Sequence, residues 1–204
     1  MIPGWTSQRV LPPCDSDDPT SSERSPYVVS AAEFVQKFAT SPARNIILEG
    51  FLDFRKALNS IGIVQGFQWV DGSFVEDVEL TRNCSPHDID VVTFYYSADG
   101  LTQNVLLSCY PYLFDPRLAK KQYHVDAHVV ELNVSILDAI ENQTTLVNQT
   151  AYWYSRWSHR REDLLWKGYL QLDLLAENDP TAPGTPSQAV QGNLDQATDQ
   201  GGQP

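Results

Sequence analysis

The chain has 204 residues, 42% of them hydrophobic, and a net charge of −12. This is enough apolar material for one core, and too acidic a balance for a protein that coats nucleic acid through a broad basic face. No stretch approaches the roughly 20 apolar residues of a membrane-spanning helix and no N-terminal run has the form of a signal peptide, so a cytoplasmic location without a membrane partner is expected. Cys14, Cys84 and Cys109 show no CxxC spacing and imply neither a disulfide framework nor a zinc site.

Residues 1–26 are rich in Pro, Ser and Asp and read as an extended N-terminal arm, able to pack through Ile2, Trp5 and Leu11. Ser30-Ala31-Ala32-Glu33 has the form of a capping box, and Phe34 and Phe38 stand one helical turn apart, which predicts a short helix ending near Thr40. Ser41-Pro42 restarts a helix, with Ile47, Phe51, Phe54 and Leu58 on one face and Gly62 as its stop. Phe67 to Val70 reads as a strand running into the turn Asp71-Gly72-Ser73-Phe74. Residues 76–87 are polar and irregular. Asp88 to Tyr96 is a strand by its β-branched and aromatic composition.

Leu101 to Ser108 suits a short helix. Pro111 to Gln122 reads as a loop or helical turn carrying Arg117, Lys120 and Lys121, followed by a strand from Tyr123 to Leu132. Tyr152 to Trp166 reads as a helix, with Trp153 and Trp157 four apart. Leu170, Leu172 and Leu174 alternate as in a strand, although a helix fits nearly as well. From Asp173 to Pro204 there are five acids and no Lys or Arg, and residues 179–204 have the composition of a disordered tail. The expected fold is a mixed α/β (α+β) domain over residues 27–178, a small mixed sheet flanked by helices.

Asp88 and Asp90 carry the sharpest chemical signal. Residues i and i+2 of a strand share a face, whereas Ile89 and Val91 point into the core. Two carboxylates side by side on an apolar strand repel and lose hydration, a penalty that a hard cation such as Mg²⁺ removes. Upstream, Gly72-Ser73 stands at a strand end, in a turn able to offer N–H groups and a hydroxyl to phosphate oxygens.

Val70-Asp71-Gly72-Ser73 followed by Asp88-Ile89-Asp90-Val91-Val92 resembles the nucleotidyltransferase superfamily that includes polymerase-beta-like enzymes and the minimal nucleotidyltransferases. The 14-residue spacer from Phe74 to His87 is longer than is usual there. More narrowly, the Pro-rich start, Phe67 to Phe74, the Asp-x-Asp strand and Trp166-Lys167-Gly168 resemble a bacterial family of nucleotidyltransferase-like proteins. The resemblance implies a nucleotidyltransferase-type sheet and a third carboxylate on a neighbouring strand, for which Asp126 is the natural residue; Asp115 and Glu131 are weaker rivals. It implies Asp88, Asp90 and Asp126 as catalytic and metal-binding residues for Mg²⁺ or Mn²⁺, with Gly72 and Ser73 on the nucleotide; Lys167, which closes the later basic segment, is a further nucleotide-binding candidate from its charge. The resemblance further implies an NTP substrate, an RNA (tRNA end) or protein hydroxyl as acceptor, and a cognate toxin or antitoxin partner or a role in phage defence.

Two other clusters stand out. His124, Asp126 and His128 alternate along one strand and suit a transition metal or, as the more ordinary arrangement, hydrogen-bonded neighbours. Arg156, Arg160 and Arg161 read as one face of a helix, either solvated or meeting phosphates. Beside the nucleotidyl-transfer reading stand a catalytically weak antitoxin or partner-binding module of the same fold, and a metal-dependent phosphohydrolase built on His124, Asp126 and His128.

Overall fold

The structure, a computed structural model, describes residues 1–97, 102–133 and 139–174. The expected tail at 179–204 lies outside the described residues. The elements in chain order are β1 (Tyr27–Val28), α1 (Ala31–Phe38), α2 (Pro42–Ser60), β2 (Gly66–Asp71), a 3-10 turn (Ser73–Val75), α3 (Val78–Arg82), β3 (Ile89–Tyr95), α4 (Gln103–Cys109), α5 (Pro111–Phe114), α6 (Pro116–Tyr123), β4 (Val125–Glu131), α7 (Ala139–Trp157) and β5 (Leu170–Asp173). The fold is mixed α+β. Among the described residues five strands form one mixed sheet in the order β1-β5-β2-β3-β4, with β3 and β4 parallel and β2 antiparallel to both β3 and β5. Among the described residues no helix is long and apolar enough to cross a membrane.

Local chemistry sets the first helices. Ser30 accepts from the Glu33 N–H while the Glu33 carboxylate accepts from the Ser30 N–H, closing the capping box at α1. Ser41 caps α2 through the Arg44 N–H, with Pro42 in the first turn. The segment 111–122 forms helix rather than loop. Pro111 and Pro116 each occupy a helix start, and the Asp115 carboxylate caps α6 by accepting from the Arg117 N–H at 2.9 Å.

Strand alternation divides the interior in two. Val70, Ile89, Val91, Val125 and Ala127 point to one face of the sheet and join Phe34, Phe51, Phe54 and Leu58 in the larger core. Trp69, Val92, Phe94 and Val130 point to the other face and pack on Trp153, Trp157 and Tyr169. By the same parity Asp71, Asp90 and Asp126 belong to this second face, at its edge.

Two sequence expectations change. The helix expected over 152–166 is instead α7, which begins earlier and ends at Trp157. The Ser158 hydroxyl donates to the Tyr154 carbonyl, and His159 pairs with Trp166 across a tight excursion, so Arg160 and Arg161 sit in a loop and not on a helix face. The second change is in detail only: the N-terminal segment packs through Ile2, Trp5 and Leu11 as expected, and Val10 joins them. Val10 and Leu11 are buried, and the Trp5 indole N–H donates to the Val75 carbonyl at 2.8 Å. Gly168 N–H donates to Leu11 O, which ties this segment to the residues leading into β5.

Candidate functional site

The sheet register builds the site. Asp71, the last residue of β2, stands opposite Asp90 near the start of β3, and Asp90 stands opposite Asp126 near the start of β4. Three acids on adjacent strands thus form a row at one edge of the sheet, with Asp88 immediately before β3. They open into a cleft of about 770 Å³, which Gly72, Ser73, Lys120, Arg156, Arg160, Arg161 and Lys167 also line. Each sequence-derived site residue, Gly72, Ser73, Asp88, Asp90, Asp126 and Lys167, therefore reaches one cavity. The long spacer after Ser73 folds as the 3-10 turn and α3, and its Glu76 and Arg82 contribute to the cleft wall.

Gly72 is required twice. Its φ of +86° lies in the region that side chains avoid, and a Cβ placed there would overlap the Asp90 carboxylate. The turn can run against Asp90 only because residue 72 has no side chain. Gly62 has the same φ but open space around it. Gly72→Ala is expected to destabilise the protein by about 1–3 kcal/mol, and Gly62→Ala by less, since only the first adds overlap to backbone strain. Urea denaturation of both variants measures the difference; equal losses would remove the contact with Asp90 from the account.

The electrostatics are those of crowded carboxylates. Burial, then the neighbouring Asp88 and Asp126, raise the Asp90 carboxyl to about 6. Burial likewise raises Asp71, to about 7, against the pull of the Lys167 ammonium. Asp126 is lowered, chiefly by the hydrogen bond from His128 Nε2, 3.3 Å from Asp126 Oδ1. Asp88 is paired with the Lys120 ammonium, and this raises Lys120.

Two buried cations hold the turn from beneath. Lys167, 3% exposed, places Nζ 2.9 Å from Asp71 and 2.7 Å from Glu76, so that it joins the two ends of the Gly72–Val75 turn. Burial works against its charge, but Asp71 and Glu76 outweigh it and keep Lys167 above the ordinary lysine value. Arg44, 1% exposed, donates to the carbonyls of Phe74 and Glu76 at 2.6 and 2.7 Å and forks onto Glu79. Sequence reading missed Asp71, Glu76 and Arg44, because their roles depend on long-range pairing. The one local signal was an acid immediately before Gly72.

The rivals to Asp126 are engaged elsewhere: Asp115 caps α6, and Glu131 accepts from the Ser97 hydroxyl at 2.6 Å. His124 precedes β4 in a left-handed conformation as the cap of α6. His128 packs its ring on Trp153, at 4.7 Å between centroids. Neither histidine lines the cleft.

The carboxylates of Asp88, Asp90 and Asp126 are oxygen donors of the kind a hard divalent cation takes, and the crowding at Asp90 is the penalty such an ion relieves. Among the described residues no three His, Cys, Asp or Glu side chains already converge as a ligand set. Asp88 turns to Lys120 and Asp126 to His128, so an ion would be held only after Lys120 releases Asp88; with a half-exposed lysine this is a surface-pair rearrangement of about 1 kcal/mol.

No curated protein and no solved structure matches the chain. A protein-family model matches residues 3–173, which include every residue of the cleft described above. The chain belongs to that family, a family of unknown function designated DUF6932.

Proposed function

We propose that the cleft transfers a nucleoside monophosphate from an NTP to a hydroxyl-bearing acceptor, with Mg²⁺ or Mn²⁺ held by Asp88, Asp90 and Asp126. The observation that carries this reading is the row of acids in register on β3 and β4, with the Gly72-Ser73 turn pressed against Asp90. A bound divalent cation there supplies charge neutralisation for the triphosphate and lowers the pKa of the acceptor hydroxyl.

The chain's own groups do the positioning. Ser73 presents its hydroxyl and N–H to triphosphate oxygens, at a distance fixed by Gly72. Lys167 and Arg44 hold that turn rigid, so no reorganisation is needed as charge develops. Lys167 acts through Asp71 and Glu76 and is a positioning residue, not a nucleotide contact. Asp126, kept ionised by His128, takes the hydroxyl proton. The acceptor oxygen bonds to the α-phosphorus, the bond to the bridging oxygen of the β-phosphate breaks, and pyrophosphate leaves with the electron pair.

Purified protein incubated with each α-labelled NTP, Mn²⁺ or Mg²⁺, and total RNA or cell lysate tests the reading. Label is expected on a macromolecule with the wild type and not with the doubly substituted Asp88→Asn/Asp90→Asn protein. Transfer that survives the double substitution sinks the proposal. Nucleotide binding without transfer to any acceptor would favour the partner-binding module instead.

A further inference from the structure

The cleft has a second wall, whose chemistry is unlike that of the first. It is formed by the last turns of α7 and the loop that follows. Tyr152 is 51% exposed. Its hydroxyl accepts from Arg156 Nη1 at 2.8 Å, and its ring packs edge-on against Trp153 at 5.1 Å. The Arg156 guanidinium lies 5.7 Å from the centre of the Trp153 ring. Both side chains face solvent yet are held in place.

The cations of the cleft divide into two groups. Lys120, Lys167, Arg82 and Arg160 are each paired with a carboxylate. Arg156 and Arg161 have no carboxylate partner among the described residues. Both line the same cleft as Asp88, Asp90 and Asp126. In a chain of net charge −12, two exposed guanidinium groups left without counter-ions inside an acidic cleft are an anion subsite in waiting. An exposed aromatic ring beside them adds a surface for a flat base.

We propose that Tyr152, Arg156 and Arg161 form the acceptor subsite and that the acceptor is the terminal nucleotide of a single nucleic-acid strand. The terminal base stacks on Tyr152, and the phosphate behind it meets the two arginines. The free hydroxyl then reaches Asp126. The inference rests on the nucleotidyl-transfer reading of the same cleft. A single strand is favoured over a duplex because the basic wall is confined to this cleft within an acidic chain, and a duplex brings several phosphates per turn against that acidic exterior. It is favoured over an acidic peptide by the aromatic ring, which a carboxylate does not use.

Binding separates this inference from the chemistry. The full chain, without NTP, is titrated into a fluorescein-labelled single-stranded RNA of about eight nucleotides, and anisotropy is read at several salt concentrations. Tyr152→Ala is expected to weaken binding about tenfold. Arg156→Ala and Arg161→Ala should each weaken it about as much and flatten the dependence of log affinity on log salt by about 0.7. All three side chains are exposed, so thermal unfolding should be unchanged. Absence of RNA binding, equal binding by all variants, or equal competition by a duplex of the same sequence or by a polyglutamate peptide overturns the proposal. Failure of the transfer reading itself shows in the label-transfer assay and leaves this titration interpretable.

Discussion

Asp90→Asn is expected to abolish nucleotidyl transfer while making the metal-free protein more stable above pH 6. The substitution removes one carboxylate from the proposed ligand set, an interaction worth several kcal/mol, so transfer should fall by roughly 10³-fold or more. Stability moves the other way because the folded state holds Asp90 in an environment that disfavours its charge. Its carboxyl is raised from 3.8 to about 6 on folding. The folded protein therefore binds that proton more tightly than the unfolded chain does. The stability this contributes is complete below about pH 4 and is lost as pH rises through 6. Asn carries no such proton. The stability of Asp90→Asn relative to wild type should thus rise across this window, by roughly 3 kcal/mol at most. Chemical denaturation in EDTA at pH 4, 6 and 8 measures it. Added Mn²⁺ should stabilise the wild type at pH 8 and leave the variant unmoved. A difference that does not vary with pH would show that burial and the neighbouring Asp88 and Asp126 do not disfavour the charge of Asp90 in the folded protein.

Lys167→Met produces the largest expected loss of stability. It leaves Asp71 and Glu76, 4% exposed each, without their shared cation. Removing one partner of a buried ion pair typically costs about 3–5 kcal/mol. For a chain of this size that is about 10 °C in Tm. Part of the loss is offset because Asp71, already raised to about 7, can take a proton. The destabilisation should therefore be smaller at pH 5 than at pH 8. Lys167→Arg keeps the charge but adds volume at a site 3% exposed, and is expected to recover part of the loss. Circular-dichroism melts decide it. A Tm within about 2 °C of wild type would mean that the turn does not depend on Lys167.

Much of the frame was legible in the chain. Ser30 with Glu33, and Ser41 with Pro42, announce two helices through chemistry that lies within four residues. Asp88-Ile89-Asp90-Val91 announces a half-apolar strand with two acids on one side. Asp126 was legible for the same reason, as a charged residue alternating with Val125 and Ala127. What stayed hidden depends on partners distant in sequence. Asp71 reads locally as a turn residue, and only the antiparallel register of β2 with β3 sets it beside Asp90. Lys167 reads as a free cation able to meet phosphate. Its burial against Asp71 and Glu76 arises from β5 pairing with β2, nearly a hundred residues away in the chain. Arg44 reads as one more polar residue of α2, yet it supports the turn through two main-chain carbonyls. Arg160 and Arg161 continue a helical spacing in sequence, but the Ser158 hydroxyl and the His159–Trp166 pairing turn the chain first.

The central claim is that bond breaking occurs between the α- and β-phosphates and that the nucleoside monophosphate moves. Parallel reactions with α-labelled and γ-labelled NTP, resolved for labelled macromolecule, pyrophosphate and orthophosphate, test it most directly. The account predicts α-label on the acceptor and γ-label recovered as pyrophosphate, both lost in Asp90→Asn. Label from the γ position on the acceptor, or release of orthophosphate with no α-label transferred, would contradict it.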